Sequence, residues 1–137
     1  MSLTAHPIAA LKAALRTRLL ADVDLAALIG ASIYDAPPRG AAPPYLVLGE
    51  ADAQESGTSE RDGLKIELEL VSVTSERGTS AALAMASAVA AAIAAPLPSA
   101  DGQRLIVLGL RQMSTRYDAT NELARVTQRL SAFTEPL

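Results

Sequence analysis

The chain has 137 residues, of which 50% are hydrophobic and only 3% aromatic, and its formal net charge is −3. This length suits one hydrophobic core, so we expect a single domain over residues 1–137. The absence of cysteine and the single histidine exclude disulfides, thiolate metal sites and histidine-pair metal sites within the chain, while the negative charge and the scarcity of aromatic residues disfavour general nucleic-acid binding.

Two helices are predicted at the start of the chain. Apolar residues recur at the spacing of one helical face, at Ile8, Leu11, Leu15 and Leu19. This spacing predicts a helix from Pro7 to Leu20. A short helix from Leu25 to Ile29 follows, which Asp22 or Asp24 can cap and Gly30 can close.

A proline-rich connector comes next, from Asp35 to Pro44. Its prolines remove backbone donors and restrict the residues before them, so the segment is neither a helix nor a central strand. Two hypotheses remain open for it. It is either a crossover that carries the chain from the helices to the sheet, or a stiff arm, including Pro37 and Pro38, that docks on a neighbouring subunit with Tyr34 and Tyr45 as anchors.

Two strands with an acidic loop between them follow the connector. Tyr45–Glu50 has the apolar content of a strand, and Leu64–Leu70 alternates apolar and charged residues, so we expect an antiparallel pair. Residues 51–62 are polar and longer than a tight hairpin requires, which predicts a mobile loop. Its acidic residues are candidates for contacts with other proteins rather than for a calcium site, because their spacing differs from that of a calcium loop: Asp52, Glu55, Glu60 and Asp62.

The second half of the chain is predicted to form an alanine-rich helix over residues 78–95, which Pro96 ends, and two strands. These strands run from Arg104 to about Gln112 and, after a turn at residues 118–121, to near Phe133. The helix is too short to span a bilayer, and no secretion signal is visible at the N-terminus, so we expect a soluble protein made in the cytoplasm. The predicted fold is α+β, with an antiparallel four-stranded sheet packed against an N-terminal helix and a central alanine-rich helix.

The sequence offers no catalytic constellation. His6 precedes a helix, where a surface histidine is expected. Glu67 and Glu69 lie on one face of a strand, and a solvent-facing strand usually carries charges there. Arginines concentrate in the last two strands and favour a solvated face or a protein interface over a DNA site, at Arg104, Arg111, Arg116, Arg125 and Arg129. The opposite charges of Glu67, Glu69, Arg125 and Arg129 allow pairing within one sheet or across neighbouring subunits, and we expect partial use between subunits.

A succession of segments resembles the tail-terminator, or tail-completion, proteins of long-tailed phages and gene transfer agents, a family once labelled only as a domain of unknown function in alphaproteobacterial prophages. The segments are Ile33–Pro38, Pro44–Glu50, Ser75–Gly78, Gly102–Leu105 and Ser131–Glu135. The chain departs from the family pattern at residues 71–73 and 119–121, where members often carry an aromatic residue and an Asp-Gly turn.

This resemblance implies a structural virion protein without cofactor or enzymatic activity, located in the neck region of the tail. Proteins of this kind form a ring, usually of six copies, on the head-proximal end of the tail tube. The ring stops tube polymerisation and meets the head connector, while DNA passes through its bore without being read. Two alternatives are a dimeric small-ligand or regulatory α+β domain and an enzyme without recognisable residues.

Overall fold

The helices and strands are taken from a computed structural model that describes residues 6–55, 63–99 and 102–137. Three helices and five strands follow one another in chain order: α1 Pro7–Leu20, α2 Val23–Ile29, β1 Ile33–Tyr34, β2 Tyr45–Glu55, β3 Leu64–Thr74, α3 Ser80–Ala92, β4 Gln103–Asp118 and β5 Leu123–Pro136. None of the helices among these residues is long and apolar enough to cross a membrane.

The first two helices confirm the predictions made from apolar spacing and capping residues. α1 has the predicted bounds, and its start is capped by His6, whose Nδ1 accepts a hydrogen bond from the Ile8 amide at 3.1 Å. α2 begins at Val23, two residues earlier than predicted. Of the two candidate caps, Asp22 is the one used, because its carboxylate accepts from the Leu25 amide at 2.9 Å. Gly30 ends α2 with a positive φ of 61°, a conformation that glycine adopts without strain.

The sheet has five strands in the order β1-β2-β3-β5-β4, so the prediction of a purely antiparallel four-stranded sheet is wrong. β2, β3, β5 and β4 are antiparallel to their neighbours, as expected, but β1 adds a parallel strand that pairs Ile33 with Leu46 and Tyr34 with Val47. Two residues are too few to show a period-two pattern, which explains why the sequence did not reveal β1.

All four predicted strands are longer in the structure, and β3 continues from Leu70 to Thr74. β2 extends to Glu55, and the prediction that residues 51–55 belong to a mobile loop is therefore wrong. Residues 52–55 are all exposed, yet their backbone remains paired with β3 past a bulge between Leu48 and Ala51. Residues 56–62, including the candidates Glu60 and Asp62, lie outside the described part of the chain. β4 likewise continues to Asp118, and β5 to Pro136.

The helices pack on one face of the sheet. Leu11, Leu15 and Leu19 of α1 join β-strand residues such as Leu68 and Leu130 in the main core. α3 is shorter than predicted, ending at Ala92, and it approaches the sheet through small residues. They form a second apolar cluster that consists of Ala82, Ala86, Ala124 and Val126. Since side chains alternate along a strand, this packing leaves the opposite face of the sheet to the charged residues.

Candidate interaction surface

A charged cluster lies on the sheet face opposite the helices, with Arg129 of β5 at its centre. The guanidinium donates from Nε to Glu67 at 2.9 Å and from Nη1 to Glu69 at 3.3 Å, both on β3. Nη2 reaches Asp52 of β2 at 3.5 Å. These residues meet because Asp52 is opposite Glu67 and Glu69 is opposite Arg129 in the strand register. One arginine therefore links three strands.

The cluster shifts the pKa values of Glu67 and Arg129. The hydrogen bond from Arg129 holds the pKa of Glu67 below its ordinary value, with a further contribution from the positive charge itself. In turn, the hydrogen bond to Glu67 raises the pKa of Arg129, and the charges of Glu67, Glu69 and Asp52 add to the effect. Because the side chain of Arg129 is about one third exposed (34%), solvent and salt screen these interactions in part.

We expect Arg129→Gln to lower the thermal unfolding midpoint most clearly near neutral pH. A carboxylate with a lowered folded-state pKa stabilises the fold fully above its ordinary range, about 4.3 for glutamate, and loses this contribution as the pH falls through the folded value. The variant also leaves three carboxylates close together, and their repulsion disappears on protonation. The difference between the variant and the parent should therefore shrink as the pH is lowered, as measured by thermal unfolding at a series of pH values. Arg77→Gln, in an exposed bend before α3, is the control.

The two candidate arginines differ in their partners. The side chain of Arg129 is paired within its own sheet, whereas the side chain of Arg125 makes no hydrogen bond or salt bridge with any residue in the described ranges. Arg125 lies directly across from Arg116 of β4, a like-charge pair that destabilises an isolated sheet. The positive charge of Arg125 also contributes to lowering the pKa of Asp118, for which hydrogen bonds from Asn121 are the larger cause. The use of Arg125 and Arg129 between subunits stays a prediction.

The connector residues are held in place at their beginning. Lys12 of α1 pairs with Asp35 at 2.6 Å, and Arg16 donates to the carbonyl of Ile33 at 2.7 Å. The rings of Tyr34 and Tyr45 pack against each other with centroids 5.8 Å apart. The connector therefore joins two neighbouring parallel strands, β1 and β2, and its two predicted anchors contact each other.

The remaining candidate residues are dispersed. Pro37 and Pro38 are exposed in the connector, and Glu55 is exposed at the end of β2. Of the two acidic candidates within the described residues, Asp52 and Glu55, it is Asp52 that contacts another candidate, Arg129. Across the parts of the chain that the structure describes, no group of three or more histidine, aspartate and glutamate residues is arranged to hold a metal ion.

Sequence reasoning missed two contributions to this surface. The strand position of Asp52 depends on backbone pairing, which its polar surroundings in the sequence do not reveal. Nη1 of Arg104 donates a hydrogen bond to Oε1 of Glu135 at 3.1 Å, and the two residues meet because they are opposite each other in the register of β4 and β5. In the last two strands, the arginine side chains without a hydrogen-bond or salt-bridge partner among the described residues are those of Arg111, Arg116 and Arg125.

Comparison with known proteins shows similarity over nearly the whole chain. Residues 13–135 match the family model described as "Tail completion protein gp17". Among solved structures, the chain is similar to one described as "Virion of native gene transfer agent (GTA) particle", with 31% sequence identity and a TM-score of 0.84. This similarity covers 96% of the present chain and 99% of the other. A search of curated proteins gave no significant match.

Proposed function

The chain belongs to the tail completion protein gp17 family, and from this membership we propose that it is a tail terminator: a structural virion protein that forms a ring on the head-proximal end of the tail tube. The ring ends tube polymerisation and presents a surface to the head connector. The match over residues 13–135 is the observation that carries the proposal.

The structural similarity supports this role over nearly the whole chain. A chain in a gene transfer agent virion has a similar fold, and the similarity covers 96% of the present chain and 99% of the other. The family is one of structural tail proteins, which favours a role in assembly over catalysis. We therefore place the protein in the tail and neck region of a virion.

The proposed partners are further copies of the chain, the tail tube protein and the head connector. We propose a homohexamer, so that the ring follows the symmetry usual for such tails. DNA passes through its bore without sequence-specific contact. The net charge of −3 supports this part of the proposal, because an acidic ring repels phosphates rather than retaining them.

The test is a tube-assembly reaction. The tail tube protein of the same particle is polymerised with and without the full chain, and tube lengths are measured by electron microscopy. We expect tubes to elongate without the chain and to stop growing in its presence, with a ring at one end. Native mass measurement of the ring should give six times the mass of one chain.

Late addition provides the control for this experiment. Chain added after the tubes have grown should leave existing tubes intact while blocking extension by fresh tube protein. Tubes that continue to elongate at a saturating concentration of the chain would contradict the proposed function. A ring of another stoichiometry on blocked tubes would contradict only the hexamer.

A further inference from the structure

Within the described residues, the sheet has two open edges, one along part of β2 and one along β4. On its outer side β2 pairs with β1 at Leu46 and Val47. Among the residues that the structure describes, no strand covers β2 over residues 48–55 or the outer side of β4. Long exposed edges present unpaired backbone donors and acceptors, which are templates for pairing with another chain.

β4 is exposed on both of its faces as well as along its edge. All residues from 111 to 117 are exposed, including Met113 (51%) and Tyr117 (37%), which share a face. Bulges often protect edge strands, but the two bulges of β4 lie earlier, between Val107 and Gln112. Residues 112–118 therefore form a regular strand segment with little contact beyond β5.

The two open edges carry opposite charges. The side chains of Arg111 and Arg116, both on β4, have no hydrogen-bond or salt-bridge partner within the described ranges. Arg125 lies opposite Arg116 on the neighbouring strand β5. We call these three residues the arginine edge. The open part of β2 carries Glu50, Asp52 and Glu55, without any lysine or arginine in that strand. We call these three residues the acidic edge. Their negative charge complements the positive charge of the arginine edge at the opposite end of the sheet.

The directions of the strands suit an edge-to-edge contact between copies. Along the order β2-β3-β5-β4 each strand is antiparallel to the next, so β2 and β4 run in opposite directions. When a second copy is related to the first by rotation about an axis near the strand direction, its β2 is antiparallel to β4 of the first copy. Antiparallel pairing is slightly more stable per residue than parallel pairing.

We propose that residues 112–118 of β4 pair with residues 48–55 of β2 in a second copy of this chain, so that the arginine edge meets the acidic edge. The interface is head-to-tail, uses two different surfaces, and generates a ring when the rotation between copies closes. The ring rests on the proposed function, whereas the edge pairing is supported by the charges, exposure and strand directions.

Disulfide cross-linking tests the pairing, because the chain contains no cysteine. One cysteine is placed at Met113, Thr115 or Tyr117 and the other at position 51, 53 or 55, in all nine combinations, since these positions face the same side of the sheet as the helices. Within one chain β2 and β4 are three strand spacings apart, about 14 Å, which is too far for a disulfide. Any link must therefore join two copies.

We expect at least one combination to give covalent oligomers upon oxidation, both on capped tubes and in concentrated solutions of the chain. Thr115→Cys combined with Ala91→Cys, on the exposed side of α3, is the matched control and should remain unlinked. If tubes are capped but none of the nine pairs cross-links, the edge pairing is wrong and the proposed function stands. If cross-links form but tubes elongate freely, the proposed function is wrong and the pairing stands.

Charge reversal gives a second measurement. Arg111→Glu with Arg116→Glu should weaken association of copies about tenfold or more, as reversal of charges across an interface does. Glu50→Arg with Glu55→Arg should do the same. An equimolar mixture of the two double variants should recover association, because both contacts of an alternating arrangement join opposite charges. Arg77→Glu should have no effect. Failure of the mixture to associate more tightly than either variant alone would overturn the charge complementarity.

Discussion

Replacing Arg18 with alanine is expected to lower the free energy of unfolding by about 1.5–3 kcal/mol, the range for hydrogen bonds to charged groups. The guanidinium of Arg18, in the last turn of α1, donates to the carbonyls of Ala92 at 3.2 Å, Ala95 at 3.1 Å and Pro96 at 2.8 Å. The carbonyls at the end of a helix have no partner within it, and a positive charge there is favourable. Arg18 therefore closes α3 and joins it to α1.

Two variants separate this contact from a general effect of charge. Arg18→Lys keeps the charge, but one ammonium group lacks the planar fork that reaches three carbonyls, so most of the loss should remain. Arg77→Ala removes an exposed arginine and should change the free energy of unfolding by less than about 0.5 kcal/mol. Urea unfolding followed by circular dichroism provides the measurement. Equal losses for Arg18→Ala and Arg77→Ala would show that the three hydrogen bonds contribute nothing.

Elements with a strong local signal were predictable from the sequence. The sequence predicts both ends of α1, because its apolar residues recur every three to four positions. β3 was found because Ile66, Leu68 and Leu70 alternate with charged residues, and all three are buried. In both cases one face is buried and the other is solvated, so the periodic order of apolar and polar residues in the sequence predicts which residues are buried.

Elements that depend on pairing with distant residues were not predictable in the same way. β1 consists of two residues that are fixed by β2, and the end of β2 is exposed on both sides, so neither has a periodic pattern. The contacts of Arg18 join residues 74 to 78 positions apart, so no local pattern in the sequence reveals them. The charges of the candidate surface were visible, but their pairing required the strand register.

The proposed ring gives one explanation for several features that cost a monomer stability. An exposed edge strand, the opposed Arg116 and Arg125, and the concentration of acidic residues in the open part of β2 each disfavour an isolated sheet. In a head-to-tail ring all three are relieved by the same contact. This predicts that the unfolding temperature of the assembled protein rises with its concentration, whereas that of a variant with a reversed arginine edge does not.

Ala86→Leu is expected to destabilise the fold by about 1–3 kcal/mol, the usual cost of adding methylene groups to a filled core. Ala86 is only 1% exposed and packs with Ala124 and Val126. Its backbone carbonyl accepts a hydrogen bond from Nε2 of the buried Gln128 side chain at 3.1 Å. A larger side chain would push α3 away from the sheet and stretch this bond, leaving a buried amide without a partner. Ala84→Leu makes the same substitution on the exposed side of α3 and should leave the free energy of unfolding within about 0.5 kcal/mol of the parent. Equal unfolding midpoints for the two leucine variants in urea would mean that the close approach of α3 to β5 contributes nothing to stability.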